Sequence, residues 1–172
     1  MDERMTTQEV LRAIERERAR LLSSIDALGD RAATATVTEE GWTARDVLAH
    51  LIHWATQVAF GLGAPVTPPV YMQSERRRRR LAGLDDRMPS GAESNALAVA
   101  HYAGVPLADV RRTFDDLVDA IVERVRMRSD DEMNVLDAVP WAKGRRLSEF
   151  IGGDTFLHWP LHAEDIERAT AS

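Results

Sequence analysis

The sequence predicts an all-α fold: a four-helix bundle with a long crossover between its second and third helices. Four long segments repeat their apolar residues with the 3.6-residue period of a helix, and no segment alternates apolar and polar residues as a half-buried strand does. The connections between these segments are uneven. A chain of 172 residues is long enough to bury a core and short enough for a single domain spanning 1–172.

The first helix opens at Thr6, which has the capping-box spacing to Glu9, and sets Val10, Leu11, Ile14, Leu21, Leu22, Ile25 and Leu28 on one face before Gly29 and Asp30 stop it. The second starts at Thr43 with Asp46 three residues on. It buries Val47, Leu48, Leu51, Ile52, Ala55, Val58 and Leu62, and ends in Gly61, Gly63 and Pro65. After Pro106 the third places Val110, Phe114, Leu117, Val118, Ile121 and Val125 in a stripe stepping by three and four, the ordinary pattern of core packing. The fourth is expected over 147–169 with a broader apolar face, Gly152 and Gly153 near its start and Pro160 inside it.

About a dozen residues join the first two helices, and a medium linker with Pro140 and Trp141 precedes the fourth. Residues 64–104 form the long crossover, within which 95–102 and the arginine run are candidates for short helices. Such a crossover lets the second and third helices run parallel.

Composition is that of a soluble globular protein, with 44% apolar and 29% charged residues and no apolar run long enough to span a bilayer. The first ten residues carry acids and no apolar signal core, so a cytoplasmic protein is expected. The chain has no cysteine, which removes disulfides and thiolate nucleophiles and leaves His, Asp and Glu as its strong metal ligands. Any thiol chemistry therefore needs a thiol cosubstrate. A net charge of −6 argues against a dedicated nucleic-acid binder, which neutralises phosphates with a basic surface. The run ERRRRR at 75–80 is a local exception, read first as a solvated face paired with acids such as Asp85 and Asp86.

Three of the five histidines are spaced as a metal triad. His158 and His162, four apart, share a helix face, and His50 lies at the edge of the second helix's core stripe beside Val47 and Trp54, facing a neighbour. A single histidine there is more often a satisfied structural residue than a ligand. His53 lies nearly opposite the core stripe and is expected in solvent. Pro160, between the two C-terminal histidines, is expected to kink the helix and re-aim the pair or spoil it. Asp154 continues the face one turn earlier and Asp165 lies close on the wheel. Either is placed to accept the outer N–H of a ligating histidine, against plainer readings as a helix-terminal acid and a surface acid. His101 and Tyr102 are placed to line a pocket mouth, or simply to pack an aromatic over the bundle.

The segment GWTARDVLAHLIHW at 41–54, followed by DTFLHWPLHAEDI at 154–166, resembles the DinB-like superfamily of four-helix bundles. The HL..W pattern, the arginine-rich stretch, and Trp141 ahead of a GDT..H...H..DI ending are most similar to its ClbS/DfsB branch. This resemblance implies a divalent metal, often zinc or nickel, on His50, His158 and His162. It also implies thiol-dependent or metal-dependent chemistry on an electrophilic small molecule, and for the ClbS/DfsB branch resistance to a DNA-alkylating metabolite by opening its reactive ring.

Three imidazoles leave a divalent ion an open position, the arrangement of catalytic rather than structural sites, where a water or a low-molecular-weight thiol is activated. A hydrolase and a thiol S-transferase are both compatible with it. The competing readings are a non-catalytic bundle that sequesters a small molecule without metal, and a nucleic-acid-associated stress protein acting through the arginine run. No membrane partner is expected. Homodimerisation stays open, since no isolated apolar stripe demands it.

Overall fold

The computed structural model describes residues 4–81, 91–139 and 141–171, with the side chains of 76–81 left aside. Eight helices occupy these residues: α1 (Thr7–Ala27), α2 (Ala44–Gly61), α3 (Val70–Leu81), α4 (Ala92–Tyr102), α5 (Leu107–Arg126), α6 (Asp130–Met133), α7 (Leu147–Gly153) and α8 (Trp159–Thr170). Among the described residues there is no strand, only two isolated bridges, Thr36 with Thr43 and Leu136 with Arg146. The chain is all-α, as its periodicity predicts.

Both expected capping boxes form. Thr6 accepts from the Glu9 amide while Glu9 reaches back, and Thr43 and Asp46 do the same at the start of α2. The α5 stripe is buried as read, with Val110, Phe114, Val118, Ile121 and Val125 fully enclosed. Helix α1 lies against α8 and α5, and α2 lies against α5 and α4. Ion pairs lace the outer seams: Arg20 holds Glu167 of α8 at 2.8 Å, and Arg18 holds Asp115 of α5 at 2.6 Å. These half-exposed pairs set register more than stability.

The crossover supplies α3 and α4, and it wraps α2. Helix α2 is therefore buried almost all round, and His53, expected in solvent, is fully enclosed. Its Nδ1 lies 2.9 Å from the Tyr71 hydroxyl of α3 and its ring stacks on Tyr71. The wheel of α2 located the core stripe correctly; it could not foresee a second layer on the opposite face. The arginine run lies along α3, but its side chains, Asp85, Asp86 and Pro140 fall outside the described residues.

The fourth segment is broken rather than continuous. Helix α7 ends at Gly153, residues 154–158 form a turn, and α8 starts at Trp159. Gly152 makes the turn feasible: a Cβ there would lie 2.6 Å from Phe156 Cζ, so the Phe156 ring folds back over α7 only because that position is bare. Buried Thr155 fastens the turn by donating to the Ile151 carbonyl at 2.6 Å, and the amides of His158 and Trp159 donate back to the Thr155 carbonyl, both at 2.9 Å. Trp159 then enters the core edge-on to Phe114, with ring centroids 5.3 Å apart.

This break corrects the expectation for Pro160. It sits in the first turn of α8, where a missing N–H costs nothing because that N–H has no intrahelical partner. No kink is required. We predict that Pro160→Ala changes unfolding free energy by less than about 1 kcal/mol in urea titration, whereas a proline inside a helix would cost about 3 kcal/mol. A gain near the larger figure would return Pro160 to a helix interior.

Candidate metal centre

Helix α2 presents His50 toward the start of α8, where His158 is the cap residue and His162 lies one turn on. The turn at 154–158 thus preserves the i, i+4 relation that the sequence suggests, and it delivers both rings to His50. The Nε2 atoms of His50 and His158 are 3.1 Å apart, those of His158 and His162 are 3.2 Å apart, and ligand atoms of all three lie within 4.8 Å of one another. A tetrahedral ion with nitrogen ligands at 2.0–2.1 Å separates neighbouring nitrogens by about 3.3 Å. The triad is at metal-binding spacing.

Hydrogen bonding alone serves this arrangement badly. His50 Nδ1 lies 2.9 Å from Asn95 Oδ1, and the Trp54 indole N–H, which only donates, lies 3.2 Å from the same oxygen. The Trp54 N–H also comes within 3.3 Å of His50 Nδ1, but the shorter contacts of both groups are to the Asn95 oxygen. With Asn95 presenting that carbonyl, His50 donates from Nδ1 and a bare lone pair is left on His50 Nε2. If His158 carries its proton on Nε2 it satisfies His50 but has nothing to accept from His162. If it does not, two lone pairs face each other at 3.1 Å. With His50 protonated on Nδ1, one contact is unsatisfied in either state of His158 while the rings are neutral. A cation at the centre satisfies all three at once.

The rings are held neutral. Burial pushes His50 down to about 3, helped by His162 and His158, and burial pushes His158 down to about 4, helped by His162. His162 is also lowered by burial, against the opposing charges of Asp165 and Glu40. Neutral imidazole is the form that binds metal. Trp42 and Trp54 flank His50, with ring centroids at 5.2 and 6.3 Å. Trp42 is placed by the tight turn ahead of α2, where the Val37 amide donates to the Trp42 carbonyl at 2.7 Å.

A cavity of about 290 Å³ opens beside the triad, lined by His50, Trp54, Asn95, Gly153, Asp154 and His158. Asp154 faces this space, and burial raises its carboxyl to about 6, against the opposing charge of Arg145. Among the described residues no hydrogen bond joins Asp154 to the triad. Asp165 lies 4.0 Å from His162 Nδ1 and pairs more closely with Arg168 at 3.1 Å. The outer partner of a ligand histidine is thus Asn95, which sequence reasoning missed. An amide forty-five positions away on a crossover helix leaves no spacing signal. His101 and Tyr102 line a cavity, one that shares no residue with the cavity beside the triad.

A family model for the DinB superfamily matches residues 13–165. This chain belongs to the DinB superfamily. A crystal structure of an uncharacterised protein from Escherichia coli UTI89 superposes with a TM-score of 0.66 at 15% identity, covering 95% of this chain and 91% of that one, which supports the DinB-like fold. None of the curated proteins matches the sequence. No helix among the described residues is long and apolar enough to cross a membrane.

The depressed histidines fix a pH dependence for the metal-free protein. As pH falls below 6.5, the unfolded chain takes up protons that His50 and His158 refuse until about 3 and about 4, so stability is lost across that window. Asp154 acts oppositely: folded, it holds a proton up to about 6, which adds stability as pH falls from 6 toward 4. The protons refused by His50 and His158, with His162 shifted in the same direction, outweigh the one retained. Chelator-treated protein should lose about 1–2 kcal/mol per pH unit between pH 6 and 4 in urea titrations. His158→Gln should flatten that slope, and an unchanged slope would refute the assignment.

Proposed function

We propose that this protein is a divalent-metal-dependent enzyme of small-molecule detoxification, holding zinc or nickel on His50, His158 and His162. The observation that carries the reading is the convergence of three neutral Nε2 atoms whose mutual contacts hydrogen bonds cannot all satisfy. Three protein ligands leave an open position, as in catalytic sites, where a bound ion supplies Lewis acidity toward water or a thiol. The electrophile occupies the adjoining cavity.

The chain's own residues have separate tasks there. Asn95 keeps the proton of His50 on Nδ1, so that Nε2 stays a donor of electrons. Trp42 and Trp54 screen that ring from water. The Asp154 carboxyl, raised by burial to about 6, exchanges a proton at the cavity wall near working pH. Without any cysteine, the protein takes its thiol from a low-molecular-weight cosubstrate in the cytoplasm. The motif resemblance to the ClbS/DfsB branch favours resistance to a reactive electrophile as the biological role. The alternative is a metal-free bundle that sequesters its ligand.

Protein purified without a histidine tag should contain stoichiometric zinc or nickel, and His158→Ala should abolish it. Asn95→Ala, which leaves His50 Nδ1 and the Trp54 indole without their acceptor, should weaken metal affinity by about tenfold to a hundredfold. Metal-free protein whose melting temperature ignores both chelator and added metal would leave sequestration as the function. Consumption of styrene oxide with small thiols, lost on His158→Ala, distinguishes transfer from simple binding.

A further inference from the structure

A second cavity, of about 430 Å³, lies between α2, α5, the segment 65–69 and the end of α4. That volume is within the range of small-molecule sites. Its wall on α2 is Ile52 and Thr56, each two positions after His50 and Trp54, which line the metal-side cavity. Two residues turn a helix by about 200°, so the cavities lie on opposite faces of α2. They are separate sites.

The lining has a marked polarity. Its floor is apolar: Ile52, Leu117 and the ring of Tyr102 are buried, and Val66 and Ala120 add to it. The helix hydroxyls of its wall, on α2 and α5, turn lone pairs toward it. The Thr56 hydroxyl donates its hydrogen to the Ile52 carbonyl at 2.7 Å and the Thr113 hydroxyl to the Asp109 carbonyl at 3.0 Å, which leaves each oxygen with lone pairs to offer.

Asp116 adds a full negative charge to the wall. Arg112, one turn before it, is held by Asp109 at 3.0 Å, and Asp116 has no ion-pair partner among the described residues. Among those residues no lysine or arginine lines the cavity. The exposed Thr67 and His101 complete the rim, and the Tyr102 ring, edge-on to His101 at 4.7 Å, adds an aromatic surface of the kind that attracts cations.

We propose that this cavity binds a small organic cation, a primary amine on an apolar or aromatic body. The body occupies the floor between Ile52, Leu117 and Tyr102, and the ammonium stays at the rim against Asp116 and the Thr113 oxygen. A carboxylate of the same size binds more weakly, because it would meet the like charge of Asp116 with no lysine or arginine among the described lining residues to receive it. This site owes nothing to the metal triad.

The test is an amide NMR titration of the full chain with 2-phenylethylamine and, separately, with 3-phenylpropanoate. The amine should shift Ile52, Tyr102 and Leu117 saturably and bind more tightly than the carboxylate. Asp116→Asn should weaken the amine about fivefold and remove its salt dependence. Ala120→Phe, which fills the cavity, should abolish binding, and His158→Ala should leave it intact. Equal affinity for amine and carboxylate would overturn the proposal, as would unchanged amine binding in folded Ala120→Phe. If Ala120→Phe does not fold, Asp116→Asn alone decides: amine affinity equal to that of the parent overturns it.

Discussion

The enclosure of α2 on all sides is the constraint on which the rest of this structure depends. Its core stripe packs on α5, while the crossover helix α4, with Tyr71 of α3 over His53, covers faces a surface helix would leave wet. One consequence is thermodynamic: His50 and His53 cannot be solvated, so each must find partners inside. His53 is met by Tyr71, and His50 by Asn95 together with the two histidines of α8. A second consequence is geometric. Opposite faces of one helix wall two separate cavities, with a cluster of imidazoles on one side and a pocket edged by Asp116 on the other.

Desolvation gives the triad its chemical character. The same burial that denies these rings a proton keeps their lone pairs available, and their crowding leaves one N···N contact unsatisfied until a cation enters. The Asn95 amide makes that conflict specific by deciding which nitrogen of His50 carries hydrogen. The turn at 154–158 completes the arrangement. Had the fourth segment continued as one helix, Pro160 would have broken its hydrogen bonding between the two ligands. With α8 starting afresh at Trp159, the proline falls where no bond is lost, and His158 and His162 keep the spacing of one helical turn.

Much of this was legible in the chain before folding. The capping boxes at Thr6 and Thr43, the α5 stripe from Val110 to Val125, and the candidate ligands His50, His158 and His162 all rest on local periodicity and cap chemistry. The misreadings share a cause. A wheel places His53 in solvent because it shows only one helix's own stripe, and Tyr71 of α3, which covers that ring, lies in residues with no periodic claim on α2. The sequence offers His101 and Tyr102 as pocket lining, but nothing local says which cavity the end of α4 faces. Asn95 carried no signal at all.

The sequence by itself determined where helices begin, which faces are apolar, and that three imidazoles could meet, because those properties depend on spacings of three and four residues and on side-chain type. Only the tertiary structure decided that the Nε2 atoms converge at 3.1 and 3.2 Å, that Asn95 orients His50, and that α2 separates two cavities. Those outcomes depend on how a long crossover folds back over the bundle and where a glycine lets Phe156 turn the chain. Both are long-range packing choices, and no local repeat encodes them.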